Sequence, residues 1–433
     1  MIRKNTNKRP EGPLTISNGG LQFGSPKPVT SALRGALALA ALAALLLVAP
    51  RPAQANTEIV LYNFTGASDG LYPEASLISD GAGNFYGTTL LGGLGCPGNQ
   101  YGCGVAFEIS PNGSGGWKET VLHSFSGPPD AANAFLSPVI FDKSGNLYGT
   151  TEFGGTYNWG AVFQLTPEGT YWAENILYSF TGGADGGHPA AGLIMDTAGN
   201  LYGTGSEYLL PGNVYELSPS DGGWTEQVIY QAPAWGGLTM APSGSIYGCT
   251  GTTVFELSPN GNGGWNPTVI HTFAGSPGDG TSPNCYLVLD KAGDLYGTTG
   301  AGGATNNGTV YKLSPRRNGQ WAEKILHSFA GGKDGANPVG GVTLDRHGNI
   351  YGTTAIGGSK NAGTVFELAV HGKPHYKYRV LWTFTGTDGA NPYSAPVLDS
   401  ACNLYGTAAS GGSNAAGVVF EVKHSRRDSH CRR

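Results

Sequence analysis

A seven-residue stretch, Gly348-Asn349-Ile350-Tyr351-Gly352-Thr353-Thr354, recurs in closely similar form along almost the whole chain, and no other feature constrains the fold as strongly. Its tyrosine returns at Tyr86, Tyr148, Tyr202, Tyr247, Tyr296, Tyr351 and Tyr405, at intervals of 62, 54, 45, 49, 55 and 54 residues. Self-similarity at this period marks a solenoid, a propeller or a domain array. It overrides the two or three domains that 433 residues would otherwise suggest. Composition agrees with an all-β chain: 72 Gly and 27 Pro supply turns, while 21 Tyr and 16 Phe favour strands.

Around each core the same order of segments returns. Residues 58–64 read as an apolar, β-branched strand, with relatives at 121–125, 176–180, 228–230, 269–273, 325–329 and 380–384. A short strand with small residues follows, such as Ala191-Gly192-Leu193-Ile194-Met195, and then a turn such as Asp196-Thr197-Ala198-Gly199-Asn200. The leading Asp and late Gly of that turn suit a tight hairpin with a positive-φ glycine. The GNxYGTT strand comes next, then a loop with paired glycines, then Gly-Thr-Val-Phe-Glu-Leu as at 363–368. A Pro/Gly turn ending in tryptophan leads back to the first strand type.

Four strands joined by short turns make an antiparallel meander. Seven such units predict an all-β, seven-bladed β-propeller. The last unit has three strands and no fourth, whereas residues 58–64 form a fourth-type strand with nothing before it. Pairing the two completes the seventh blade, closes the ring and covers an exposed edge. The first strand of each blade should line the central channel. Loops between blades should share a face with the loops between second and third strands, opposite the Asp-x-x-Gly-Asn hairpins.

Basic residues up to Arg34, an apolar run over 35–49 and Ala53-Gln54-Ala55 read as a secretory signal over residues 1–55, with an uncleaved signal-anchor as the alternative. The propeller is expected over 56–422 and a basic, solvated tail over 423–433. Without the leader, 18 Lys+Arg face 29 Asp+Glu. So acidic a body excludes nucleic acid as a partner. No span is expected in the mature chain. Six cysteines in an exported protein point to disulfides. Cys96 and Cys103 form the best pair; Cys249, Cys285, Cys402 and Cys431 can pair in three ways. Zinc is disfavoured because CxxC spacing and nearby His are missing.

The Asn-Leu-Tyr-Gly-Thr-Thr, Gly-Gly and Gly-Thr-Val-Phe-Glu-Leu signature resembles that of the GloVer tandem-repeat family of exported bacterial proteins, over nearly all of residues 58–422. The resemblance implies export, often with a C-terminal surface-sorting signal, and no established activity. Residues 423–433 carry neither an apolar anchor nor a sorting motif. A secreted, periplasmic or cell-surface location is therefore expected, with free secretion or periplasmic residence preferred over surface attachment.

Candidate site residues fall in the interblade loops. Asp69, Asp130, Asp185, Asp279, Asp334 and Asp388 recur there, and they could bind sugar hydroxyls or a hard cation such as calcium. A residue present in nearly every blade more often serves the blade, here by capping its own turn. Departures from the repeat are more informative: His188, Tyr157, Trp159, and Trp235 in a fourth-blade loop that has lost its Asp. His123, His271 and His327 fill a strand position held elsewhere by Tyr or Trp. No Gly-x-Ser-x-Gly elbow, HExxH or P-loop is present. The sequence thus reads as a monomeric, non-enzymatic module without a cofactor that binds a carbohydrate or protein partner through the interblade-loop face. A polysaccharide hydrolase or lyase with converging carboxylates, or a cell-envelope scaffold, are the alternatives.

Overall fold

A computed structural model describes residues 56–205, 212–234, 236–372 and 375–424. The expected leader, Trp235, Cys431 and the tail beyond residue 424 lie outside the described residues. Seven four-stranded antiparallel sheets form the blades. In the sixth, for instance, Val342–Leu344, Ile350–Thr354, Thr364–Val370 and Tyr376–Thr383 run from the innermost strand outward. The ring closes as its incomplete units require: Thr57–Asn63 pairs with Val418–Lys423, from Thr57 opposite Lys423 to Asn63 opposite Val418. No described helix is long and apolar enough to cross a membrane.

The repeated core builds these sheets and joins them. Its glycine lets a third-strand ring lie flat on the second strand: a Cβ on Gly149 would come within 2.5 Å of the Phe163 ring, and one on Gly352 within 2.5 Å of Phe366. Its tyrosine reaches the next blade, where Tyr202 packs edge-on to Trp265 and Tyr247 to Trp321. The first threonine also crosses the seam. Thr88, Thr150, Thr204, Thr353 and Thr407 donate to the carbonyls of Ser137, Ala191, Gly236, Ser394 and Ala75, at 2.6–2.9 Å. Seven buried apolar clusters accompany these bonds among the described residues, each drawn from two adjacent blades. The core therefore lies in the seams.

Disulfides link Cys96 to Cys103 and Cys249 to Cys285, and Cys402 is disulfide-bonded as well. Cys249 occupies the repeat position of the seam threonine, and Cys285 the position of its acceptor. A covalent bond thus stands between blades four and five where five other seams have a hydrogen bond. Closing a 36-residue separation should stabilise the fold by about 4 kcal/mol in the chain-entropy account. The Cys249→Ser, Cys285→Ser double variant is expected to melt several degrees lower, by calorimetry under non-reducing conditions; an unchanged Tm would show that the seam does not depend on the bond.

Candidate functional site

The interblade aspartates turn back onto their own loops. Asp69 accepts from the Thr65 amide (2.8 Å) and the Tyr62 hydroxyl (2.9 Å). Asp185 accepts from the Thr181 amide (2.8 Å) and the Tyr178 hydroxyl (3.0 Å), and Asp388 from the Thr385 amide (2.7 Å) and Trp382 Nε1 (3.1 Å). Asp130 and Asp334 take the Ser126 and Ala330 amides at 2.8 and 2.7 Å, with His123 and His327 Nε2 at 3.3 and 3.1 Å. Asp279 takes the Ala274 amide at 2.6 Å, with His271 Nε2 at 3.8 Å. The strand position shared by Tyr, His and Trp is therefore the partner of the loop aspartate. Their spacing of six to eight residues was in the sequence all along.

A third group arrives from the outer strand of the following blade. Glu119 faces Asp69, Glu174 faces Asp130, Glu226 faces Asp185, Glu323 faces Asp279, and Glu58 faces Asp388. In Glu58, Glu119 and Glu226 one carboxyl oxygen is buried without a hydrogen-bond partner, while the corresponding oxygens of Glu174 and Glu323 lie 3.6 and 3.9 Å from His123 and His271 Nε2. Burial first, and then the facing Asp, pushes these carboxyls up: Glu174 to about 9, Glu58 and Glu323 to about 8, Glu119 and Glu226 to about 7. Burial alone would raise Asp130 too, but hydrogen bonds from His123, Glu174 and Ser126 outweigh it and hold this carboxyl well below its usual range. Burial, and then the repulsion of a facing carboxyl group, thus favours the protonated form of these five glutamates. Blades five and six differ: Tyr378 replaces Glu, stacks on His327 at 3.8 Å and donates to the Asp334 carbonyl at 2.5 Å. Where the fourth-blade loop has lost its Asp, the facing position is Pro267.

The six aspartates do not converge on one point; each serves its own seam. Two seams bring one ligand atom each of a His, an Asp and a Glu within 4.8 Å of one another, namely His123, Asp130 and Glu174, and His271, Asp279 and Glu323. His188 is buried. Its Nδ1 lies 2.9 Å from the Glu152 carbonyl, and its ring lies between Phe153 and Trp159. Asn133 and Asn391 bridge to the preceding blade in the same way, donating to the Leu90 and Ala355 carbonyls. Trp159 packs on the third-blade loop, where a Cβ on Gly182 would fall 2.3 Å from its ring. Tyr157 stands free of such packing, 58% exposed.

A concavity of about 340 Å³ opens at the channel mouth, lined by Glu74, Phe135, Leu136, Ala190, Gly236, Asn284, Cys285, Tyr286, Val339 and Tyr393. Every blade contributes to it. These segments enter the innermost strands directly from the interblade loops, so the concavity lies on the interblade-loop face. Glu74, Phe135, Ala190, Asn284, Val339 and Tyr393 are equivalent. Each stands two residues beyond a positive-φ residue: Tyr72, Asn133, His188, Ser282, Asn337 and Asn391 respectively. By repeat register Trp235 is the seventh member. The residue after Glu74, Ala190, Trp235 and Tyr393 accepts the bond of a seam threonine, the residue after Asn284 is Cys285 of the disulfide, and in the second blade the acceptor, Ser137, stands one place further on, after Leu136. The backbone is fixed blade by blade while the side chain changes every time.

Tyr286 crosses this mouth. Its hydroxyl donates to the Leu136 carbonyl, three blades away. Glycines hold its flanks: a Cβ on Gly237 would meet its ring at 2.7 Å, and one on Gly341 its Cβ at 2.7 Å. Glu74 has one buried oxygen without a partner, and burial, then Glu152, pushes its carboxyl up to about 7. The Tyr393 hydroxyl is raised by burial and then by Glu74.

Comparison with solved structures agrees on the fold. The chain is similar to virginiamycin B lyase from Staphylococcus aureus, at 12% identity and a TM-score of 0.53, over 85% of this chain and 99% of that one. It is also similar to the extracellular domain of BT4673 from B. thetaiotaomicron, assigned as a hybrid two component system, at 14% identity and a TM-score of 0.55, over 87% of this chain and 43% of that one. At such identities the likeness is one of fold. No curated protein matches the chain in sequence. The profile of the Gloeobacter/Verrucomicrobia repeat matches residues 95–252 and 235–420, spanning most of the ring, and the chain belongs to that repeat family.

Proposed function

We propose that the protein is an extracellular binding module that takes its ligand at the channel mouth, on the interblade-loop face. The observation that carries this reading is the repeat position that differs in every blade. Seven copies preserve the strands and turns, yet the repeat position that lines the concavity reads Glu, Phe, Ala, Asn, Val and Tyr in the six blades where it is described. Structural demand would keep that position uniform, as it keeps the seam threonine; recognition of an asymmetric molecule requires that it vary. The mouth has the size and largely apolar wall of a small-molecule site, with few polar groups to orient the ligand.

That wall suits a small organic molecule, or an apolar side chain of a protein partner, better than a sugar, whose hydroxyls need donors and acceptors all around the ring. Tyr157, exposed on the same face, would meet the body of a larger ligand. A cation held by the interblade aspartates is the weaker reading, since those carboxylates already accept bonds from their own turns. A hydrolase or lyase with paired carboxylates is the alternative reading, and Glu74 with the facing Glu152 is the pair it would use. Screening a small-molecule library by thermal shift tests the proposal. Hits should stabilise the wild-type protein by several degrees and should be lost in Ala190→Trp, which fills the mouth. Hits that survive this substitution would place the site elsewhere.

A further inference from the structure

Resting on the channel-mouth reading, we propose that the ligand is an organic cation: a protonated amine carried on an apolar body, with its ammonium group against Glu74 and its body among Phe135, Tyr286 and Tyr393. Among the described lining residues Glu74 is the one charged group, and none is Lys, Arg or His. A cavity with one acid and no base favours a positive ligand and rejects a negative one. One oxygen of Glu74 is buried with no hydrogen-bond partner, a costly state for a carboxyl group that an ammonium donor would relieve.

The other walls match. Aromatic faces attract cations through their ring quadrupoles, most strongly where water is excluded, and three of the lining residues are aromatic. Tyr286 is held for this use by its bond to Leu136 and by Gly237 and Gly341 at its flanks, so little freedom would be lost when a ligand packs on it. The carboxyl of Glu152 faces Glu74 and adds negative potential at the same wall, and the Tyr393 hydroxyl faces it from the seventh blade. Without a ligand, burial and then Glu152 favour the protonated acid. An entering ammonium would take the place of that proton, so binding should release up to one proton near neutral pH.

Isothermal titration with 2-phenylethylamine and its neutral isostere 2-phenylethanol tests this. The amine should bind at least ten-fold more tightly than the alcohol. Its binding heat near pH 7 should depend on the ionisation enthalpy of the buffer, as proton release requires. Glu74→Gln, close in shape and unable to ionise, should erase the preference, so that the amine binds no more tightly than the alcohol, and should remove the buffer dependence of the amine's binding heat. Equal affinities for the two probes, or a preference that survives Glu74→Gln, would overturn the cation assignment and leave the channel-mouth site standing if Ala190→Trp blocks both. Binding of neither probe, together with library hits indifferent to Ala190→Trp, would overturn both readings.

Discussion

Deleting residues 57–63 should abolish cooperative folding, or lower the Tm by well over 10 °C. The strand supplies the fourth element of the seventh blade, pairs with Val418–Lys423, and brings Leu61, Tyr62 and Val60 into clusters on both sides of that blade. Burying side chains of this size contributes about 1.5–3 kcal/mol each. Leu61 is buried and Val60 and Tyr62 half-buried, so losing them together with the strand's backbone pairing removes a large share of the stability of a typical protein, on the order of 5–15 kcal/mol. It also bares the Val418–Lys423 edge to other chains. Calorimetry on the deletion variant gives the answer, and adding the Thr57–Asn63 peptide in excess should restore part of the lost transition. A variant that melted like the intact protein would refute closure by this strand. Should the variant not fold at all, Leu61→Ala, with an expected cost of about 2–4 kcal/mol, provides the graded test.

The second large effect is that the ring should be most stable near pH 4.5–5 and weaken as the pH rises to 8. Five seam glutamates have folded pKa values raised from 4.5 to between about 7 and 9. A carboxyl with a raised value binds more protons when folded than when unfolded, so stability falls as pH climbs from the unfolded value through the folded one. Carboxyls held low, such as Asp130 and Asp185, act in the opposite sense and cost stability only below about pH 4. The raw shifts overstate the effect because water screens part of each seam. At about 1 kcal/mol per seam, the five together should lower the Tm by about 5–10 °C between pH 5 and pH 8. Replacing Glu174 and Glu323 by Gln should flatten that slope, since neither side chain then has a proton to lose. A Tm that rose toward pH 8 would rule out the raised seam glutamates.

The two effects differ in how plainly the residues announce them. Seven copies of one core, one orphan strand and one incomplete unit leave a single economical arrangement, and the pairing of Thr57–Asn63 with Val418–Lys423 follows from it. Each repeat restates the same alternation of strand and turn, so an error in one copy is corrected by six others. The seam chemistry gave no such redundancy. Asp130 and Glu174 stand on different blades, and nothing in their local spacing says that they meet. A trace existed in the fourth blade, where the loop lacks Asp and the facing position is Pro267 rather than Glu. Position, more than residue type, hid the cavity: Glu74 and Tyr393 share no chemistry, and their equivalence emerges from the positive-φ residues Tyr72 and Asn391 two places before them. His188 stood out because it broke the repeat, but at its own place it bridges to the preceding blade as Asn133 does.

Separating frame from wall has a consequence for how such a chain can evolve. Most mutations cost stability, and new specificity usually requires residues that also hold the fold together. Here the neighbours of Glu74, Ala190, Asn284 and Tyr393 are tied to the preceding blade by a threonine or a disulfide, a tie that these variable side chains do not themselves make. Drift at these positions can therefore explore ligands under weak stability selection, except at Asn284, whose side chain is buried and donates to Thr298 and to the Pro338 carbonyl of the next blade. Relatives with near-identical blades should differ most at the places equivalent to Glu74, Phe135, Ala190, Trp235, Asn284, Val339 and Tyr393, and lineages that duplicate or exchange whole blades would inherit a working frame along with one new letter of recognition.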